Sequence, residues 1–311
     1  MRAIIESVAW DEGKATGANV YKGKGPRPYF ESAAVSLWSA KKSNPDWDAI
    51  LVTNTDVPSD VAKVLSNFGA KVVMQPFEKF SFPFDLPWHL AYYKLCALDA
   101  VVAACTYESL CMLDTDTWVR KSLDELIEAS GGGVSMIDLH ASMADENRRI
   151  MDGDLDALGI KASSEATPFY GGELICGRTK ALQSLLDGLL QIHEAMVSSG
   201  YSSKRGDEFL IYACASTGRL PSVVPANPYI ARCWTGRYYS VPRWEGLSVL
   251  HLPAEKVYSF PWAYKRLAKV GKIDPVLFER KSGLRHSRRP LSLPWMTKRL
   301  MDKFGELKPL C

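Results

Sequence analysis

Short apolar runs alternate with helix-patterned stretches through the first third of this 311-residue chain, and that rhythm limits the fold more tightly than any other feature of the sequence. Residues 3–8 and 48–53 are apolar and rich in branched aliphatic side chains, as buried strands require. Between them, Gly and Pro break residues 13–28 into a loop, while residues 31–42 place Val35, Leu37 and Trp38 among polar neighbours at helical spacing. A helix is expected over 59–68 with Ser59 as its N-cap, then a strand over 70–74, a long helix over 87–105 and a strand over 108–113. This succession predicts an α/β domain built on a parallel, doubly wound sheet. Ligands of open α/β sheets gather where strands end at their carboxyl edge, and residues 108–113 run directly into Asp114-Thr115-Asp116.

The second half is less regular. A strand is expected over 133–137, a polar segment over 144–164, an apolar run FYGGELICG over 169–177, a helix from Thr179 to about Ser198, a helix opened by Gly206-Asp207-Glu208, and a last strand over 248–251. Charge divides the chain: residues 256–311 hold 14 Lys and Arg against four Asp and Glu, so the catalytic domain is expected over 1–255 and a basic helical extension over 256–311. In that extension Arg280-Lys281, Arg285-His286, Arg288-Arg289 and Lys298-Arg299 are interleaved with Trp262, Trp295, Leu291, Leu293, Met296 and Phe304. Basic and aromatic residues so mixed suit an anionic membrane surface, whereas nucleic acid is not the expected partner.

Composition excludes several classes. With 47% hydrophobic and 23% charged residues the chain is neither disordered nor a coiled coil. Its longest nearly apolar stretch, residues 95–105, is broken by Asp99 and is shorter than the ~20 residues that span a bilayer. Glu6 interrupts the first apolar run before a signal-peptide core can build, so a cytoplasmic protein is expected, peripheral on the inner face of the membrane if the basic extension binds there. The seven cysteines are odd in number and form no C-x-x-C pair, which argues against both a disulfide framework and structural zinc.

The chemistry centres on CMLDTDTW. A D-x-D after an apolar strand directs two carboxylates to one side of an extended segment, where both reach one hard divalent cation, Mn²⁺ or Mg²⁺. Such a cation keeps positions for phosphate oxygens, so the pair suggests a diphosphate substrate. The same string fits the motif of haloacid-dehalogenase-like phosphatases, in which the first Asp attacks phosphorus. That alternative needs a second acidic pair downstream, and Gly206-Asp207 is followed by Glu208-Phe209-Leu210-Ile211 without another Asp. A catalytically silent nucleotide-sugar-binding protein is the other alternative. A nucleotidylyltransferase is disfavoured because no Gly-rich phosphate loop follows the first strand.

Taken in order, Tyr93-Lys94-Leu95, MLDTDTWV, FYGG, Gly206-Asp207-Glu208 and VLHLPAEKVYSFPW make residues 1–262 resemble the GT-A glycosyltransferases, and among them the glycogenin-like retaining hexosyltransferases of glycosyltransferase family 8. The resemblance implies a Rossmann-like nucleotide-binding sheet flanked by helices, with Asp114, Asp116 and His251 as ligands of Mn²⁺ or Mg²⁺. It also implies that Lys94, Asp114 and Lys256 meet the donor diphosphate. The chain departs from family 8 in three places: the glycine expected after the histidine is absent from His251-Leu252-Pro253-Ala254-Glu255-Lys256, Phe169-Tyr170-Gly171-Gly172 replaces F-N-(A/S)-G, and Gly206-Asp207-Glu208 replaces G-D-Q. The last two changes resemble glycosyltransferase family 6, which makes Glu208 a candidate nucleophile or cation stabiliser and Asp207 a residue that orients a hydroxyl. Gly171 and Gly172, lacking Cβ atoms, would let the backbone approach the sugar. The implied activity is metal-dependent transfer of a hexose from a UDP-sugar to a saccharide or lipid-linked glycan, with retention of configuration.

Overall fold

The computed structural model describes residues 1–11, 25–86, 88–143, 145–161, 167–201, 203, 205–235 and 241–284. The expected alternation is present as β1 (Arg2–Val8), α1 (Arg27–Ser43), β2 (Asp48–Thr53), α2 (Ser59–Asn67), β3 (Lys71–Met74), α3 (Tyr93–Ala103) and β4 (Ser109–Leu113). There follow β5 (Thr117–Val119), α4 (Asp124–Ser130), β6 (Val134–Asp138), α5 (Asp145–Ala157), β7 (Tyr170–Arg178), α6 (Thr179–Ser199), α7 (Asp207–Ser216), β8 (Val223–Pro225), β9 (Ile230–Arg232), β10 (Val249–His251), α8 (Ser259–Val270) and α9 (Pro275–Lys281). Helix α1 starts earlier than its periodicity suggested, because Pro28 fits the first turn, where backbone N–H groups lack intrahelical partners. Pro58, not Ser59, occupies the cap of α2 and makes no side-chain cap bond. Within the stretch expected as one helix over 87–105, a 3₁₀ turn at His89–Tyr92 precedes α3, with the His89 ring packed against Phe77 and Phe82. Much of the loop expected over 13–28 lies outside the described residues.

Seven strands form the main sheet in the order β3-β2-β1-β4-β7-β6-β8. Strands β1 to β4 pair in parallel, but β7 runs antiparallel to both β4 and β6, so the sheet is mixed and not the parallel one anticipated. The connection between β6 and β7 explains the reversal. Helix α5 packs against α7 instead of crossing the sheet, and without a crossover the chain must re-enter beside β6 from the end it left. A smaller sheet, β5-β10-β9, pairs Thr117 with His251 and thereby ties the segment after Asp116 to the end of β10.

The core is continuous from Ile4 and Ile5 of β1 through Phe30, Ala33 and Leu37 of α1 to Phe260 of α8 and Phe278 of α9, all 0% exposed. Each such large apolar side chain contributes about 2 kcal/mol by leaving water. Phe278 stacks on Trp118 with ring centroids 4.1 Å apart, and buried Glu279 pairs with Arg120 at 2.9 Å. The part of the basic extension from Lys256 to Leu284 is thus packed into the same core, whereas Arg285-His286, Arg288-Arg289 and Lys298-Arg299 lie outside the described residues. Among the described residues, no helix is long and apolar enough to cross a membrane.

Glu6 is the exception in this core. Its side chain on β1 is 0% exposed, and neither carboxyl oxygen has a well-formed hydrogen bond. Burial pushes its proton affinity well above the ordinary carboxylate range. Asp116 and Asp114 add to that shift, while Ser36, whose hydroxyl is bonded to that of Thr117 at 2.8 Å, and Lys256 oppose it. In the unfolded chain Glu6 ionises near pH 4.5, whereas the native state holds the proton to higher pH. Above that pH the unfolded state alone has released a proton, so stability falls as pH rises, by up to about 1.4 kcal/mol per unit. Glu6→Gln is expected to remove this slope above about pH 5 and to be the more stable protein at pH 7. Urea midpoints that decline with pH equally in both proteins would show the assignment to be mistaken.

Candidate active site

Strand β4 ends at Leu113, and a tight turn follows in which the Thr117 amide donates to the Asp114 carbonyl at 3.2 Å. The two aspartates therefore flank a turn rather than sharing a face of one extended segment. Their backbone is held from both sides: the Asp114 amide donates to the Glu173 carbonyl on β7 at 3.1 Å, and the Leu252 amide donates to the Asp116 carbonyl at 2.9 Å. Pairing of Thr117 with His251 then brings the imidazole to the turn, with Nε2 at 3.4 Å from Asp116 Oδ1 and 3.8 Å from Asp114 Oδ2.

One ligand atom from each of Asp114, Asp116 and His251 lies within 4.8 Å of the others, which is the fit a single cation requires. Two hard carboxylates and one imidazole suit Mn²⁺ or Mg²⁺ and leave coordination positions for substrate oxygens. Burial opposes protonation of His251, but Asp116 and Glu173 outweigh it and lift the imidazole to about 9. Burial likewise opposes the Asp116 anion, yet Lys256 and His251 hold that carboxyl well below the usual range.

Two lysines extend this cluster. A 3₁₀ turn at Pro253–Glu255 carries the chain from β10 to Lys256, whose Nζ lies 3.2 Å from Asp116 Oδ2 and 5.1 Å from the centroid of the Tyr29 ring. In the first turn of α3, Lys94 Nζ pairs with Asp114 Oδ1 at 2.7 Å and Asp207 Oδ2 at 3.2 Å, and donates to the Gly172 carbonyl at 3.2 Å. Burial disfavours its charge, but the two aspartates raise its pKa. The lysine is thus a largely buried bridge between the aspartate turn and the start of α7.

Asp207 and Glu208 open α7 after Gly206, whose φ of +65° and closeness to Trp88 both disfavour a side chain. Burial raises the pKa of both acids, opposed by Lys94 at Asp207 and by Arg232 at Glu208. The glycines beside them have a definite purpose. A Cβ on Gly172 would come within 2.3 Å of Asp207 Oδ2, and one on Gly171 within 2.1 Å of Glu173 Oε2. Their close neighbours are thus the site's own carboxylates.

Two charged residues of this cavity were not singled out in the sequence. Glu173, 1% exposed, takes a bidentate bond from Arg232 (2.7 Å and 2.8 Å) and lies 3.3 Å from His251 Nδ1, while Arg232 also donates to Glu208 at 3.0 Å. Burial opposes the Glu173 anion, but Arg232 and His251 together hold its pKa well below the carboxylate range. The available signal was Glu173 inside the apolar run 169–177 and Arg232 at the end of the apolar pair Ile230-Ala231, since a charge in such a setting marks a paired or ligating group.

A cavity of about 380 Å³ is lined by Lys94, Asp114, Asp116, Gly172, Asp207, Glu208, His251 and Lys256, together with Glu173 and Arg232. Gly171 packs behind this wall against Glu173 and Ile137.

No protein-family model matches the sequence, and no curated protein matches it. Solved structures do resemble the fold. Mouse xyloside xylosyltransferase 1 in its apo form superposes with a TM-score of 0.50 at 12% identity, covering 81% of this chain and 97% of that one. The galactosyltransferase LgtC, in complex with donor and acceptor sugar analogs, gives a TM-score of 0.52 at 13% identity, covering 96% and 100%. At these identities the likeness establishes architecture: a mixed α/β sheet flanked by helices, of the GT-A type seen in those glycosyltransferases.

Proposed function

We propose that this protein is a metal-dependent glycosyltransferase that moves a hexose from a UDP-sugar to a saccharide or lipid-linked acceptor with retention of configuration. The observation that carries the reading is the Asp114–Asp116–His251 cluster, which shares one cavity with two lysines and the Asp207–Glu208 pair. Asp114, Asp116 and His251 would hold Mn²⁺ or Mg²⁺, which when bound supplies positive charge against the diphosphate oxygens. Lys256 and Lys94 add fixed cations on either side of the aspartate turn, where charge grows as the sugar–phosphate bond breaks. Glu208, oriented by Arg232, serves retention either by attacking the anomeric carbon or by stabilising positive charge there during same-face substitution. Asp207, held by Lys94, orients a sugar hydroxyl. The membrane-peripheral setting rests on the basic extension, and loss of anionic-vesicle binding on removal of residues 285–311 tests it.

The discriminating experiment is product release from a panel of UDP-sugars with Mn²⁺. A transferase frees UDP slowly from one donor, a phosphatase leaves the UDP-sugars intact and frees inorganic phosphate from a sugar phosphate assayed in parallel, and a binding protein does neither. Glu208→Gln is expected to lower transfer about a hundredfold with little change in UDP affinity. An unaltered kcat in that variant removes Glu208 from the mechanism.

A further inference from the structure

Contacts in the cavity run in series from Tyr29 and Lys256 through Asp116, Asp114 and Lys94 to Asp207, and Arg205, two residues before Asp207 in the chain, lines the same cavity. Lys94, Lys256 and Arg232 are each paired with carboxylates of the site. Arg205 lines the same cavity and, among the described residues, is paired with none. Its Nη2 donates to the Asn147 amide oxygen at 2.7 Å, while its Nε is buried without a partner.

The residue is firmly mounted. The Arg205 amide donates to Ser203 Oγ at 3.1 Å, Ser203 Oγ donates to Asp154 Oδ2 at 2.7 Å, and Tyr201 donates to the other oxygen of Asp154 at 2.5 Å. Asp154 and Asn147 both belong to α5, so the guanidinium is positioned before any ligand arrives. Trp88, against which Gly206 packs, also lines this cavity and supplies apolar surface. A partly desolvated guanidinium without a counter-charge is costly to keep, and its planar fork matches an oxyanion in two-point contact.

From this arrangement we infer that Arg205 recognises a carboxylate carried by a pyranose, so that the protein acts on an acidic sugar. The inference rests on the UDP-sugar reading of the cavity. The carboxylate belongs either to the transferred residue, as in a hexuronate donor, or to a uronic acid in the acceptor.

Calorimetry with Mn²⁺ separates these sources. UDP-glucuronate and UDP-glucose form the donor pair; methyl glucuronide and methyl glucoside, added to protein loaded with UDP, form the acceptor pair. In one pair the acidic member is expected to bind about tenfold to a hundredfold more tightly. Arg205→Gln should bring that ratio close to one, and Arg205→Lys should restore part of it by keeping the charge without the fork. A ratio near one in both pairs for the parent protein, or a preference that survives Arg205→Gln, overturns the inference. UDP uptake promoted by Mn²⁺, measured alongside, keeps the glycosyltransferase reading intact in that event, whereas its absence removes both.

Discussion

Asp116→Asn is expected to lower donor-sugar cleavage by about a thousandfold or more and to abolish the increment in UDP affinity that Mn²⁺ confers. The side chain is 3% exposed and the amide is nearly isosteric, so the change is chiefly one of charge. The cluster loses one of its two carboxylate ligands, while Lys256 and His251, which now share that carboxylate, keep their positions on β10 and the turn after it. The sign of the metal-free measurement distinguishes this account from simple unfolding. Removing a negative charge beside the proposed diphosphate site lessens repulsion, so UDP without metal should bind at least as tightly as to the parent protein. An undiminished manganese increment in the variant would refute the cluster as the ion site.

Glu173→Gln should be the most destabilising of the conservative changes, by about 3–5 kcal/mol. Its two oxygens engage both donors of Arg232, and His251 approaches from the other side. Loss of the anion leaves a largely buried guanidinium with, among the described residues, only Glu208 at 3.0 Å to neutralise it. The linkage to pH has a definite sign. Arg232 holds the native carboxyl well below its unfolded value near 4.5, so its stabilisation is fully present above that pH and is lost as pH falls toward the native pKa. The stability gap between parent and variant should accordingly narrow as pH falls below about 4.5. Equal urea midpoints at pH 7 would show that Glu173 is dispensable.

The strand–helix rhythm of the first half was legible because β1, β2 and β4 are bounded runs of buried aliphatic side chains, and burial of that kind has a local signature. Asp114 and Asp116 were visible for the same reason: they interrupt such a run at its carboxyl end. The direction of β7 was not, since it depends on where α5 packs, and that is decided by tertiary contact with α7. Nor were Glu173 and Arg232 visible as partners, because their meeting requires β7 and β9 to converge on the site from different sheets. In the sequence, Gly171 and Gly172 indicate a close approach of the backbone, expected to be to the sugar. Only the assembled site shows that carboxylates of Asp207 and Glu173 occupy the space.

The reversed strand β7 has a consequence for how the protein matures. It seats Gly172 and Glu173 against the end of β4, while the imidazole that completes the Asp114–Asp116–His251 cluster arrives on β10, so the cluster draws on segments separated by more than 130 residues. Contacts so remote in sequence form late in folding. Manganese capture would then mark the completion of folding in a nascent chain, and a truncated product lacking β10 would be unable to hold the ion even with its Rossmann-like half in place.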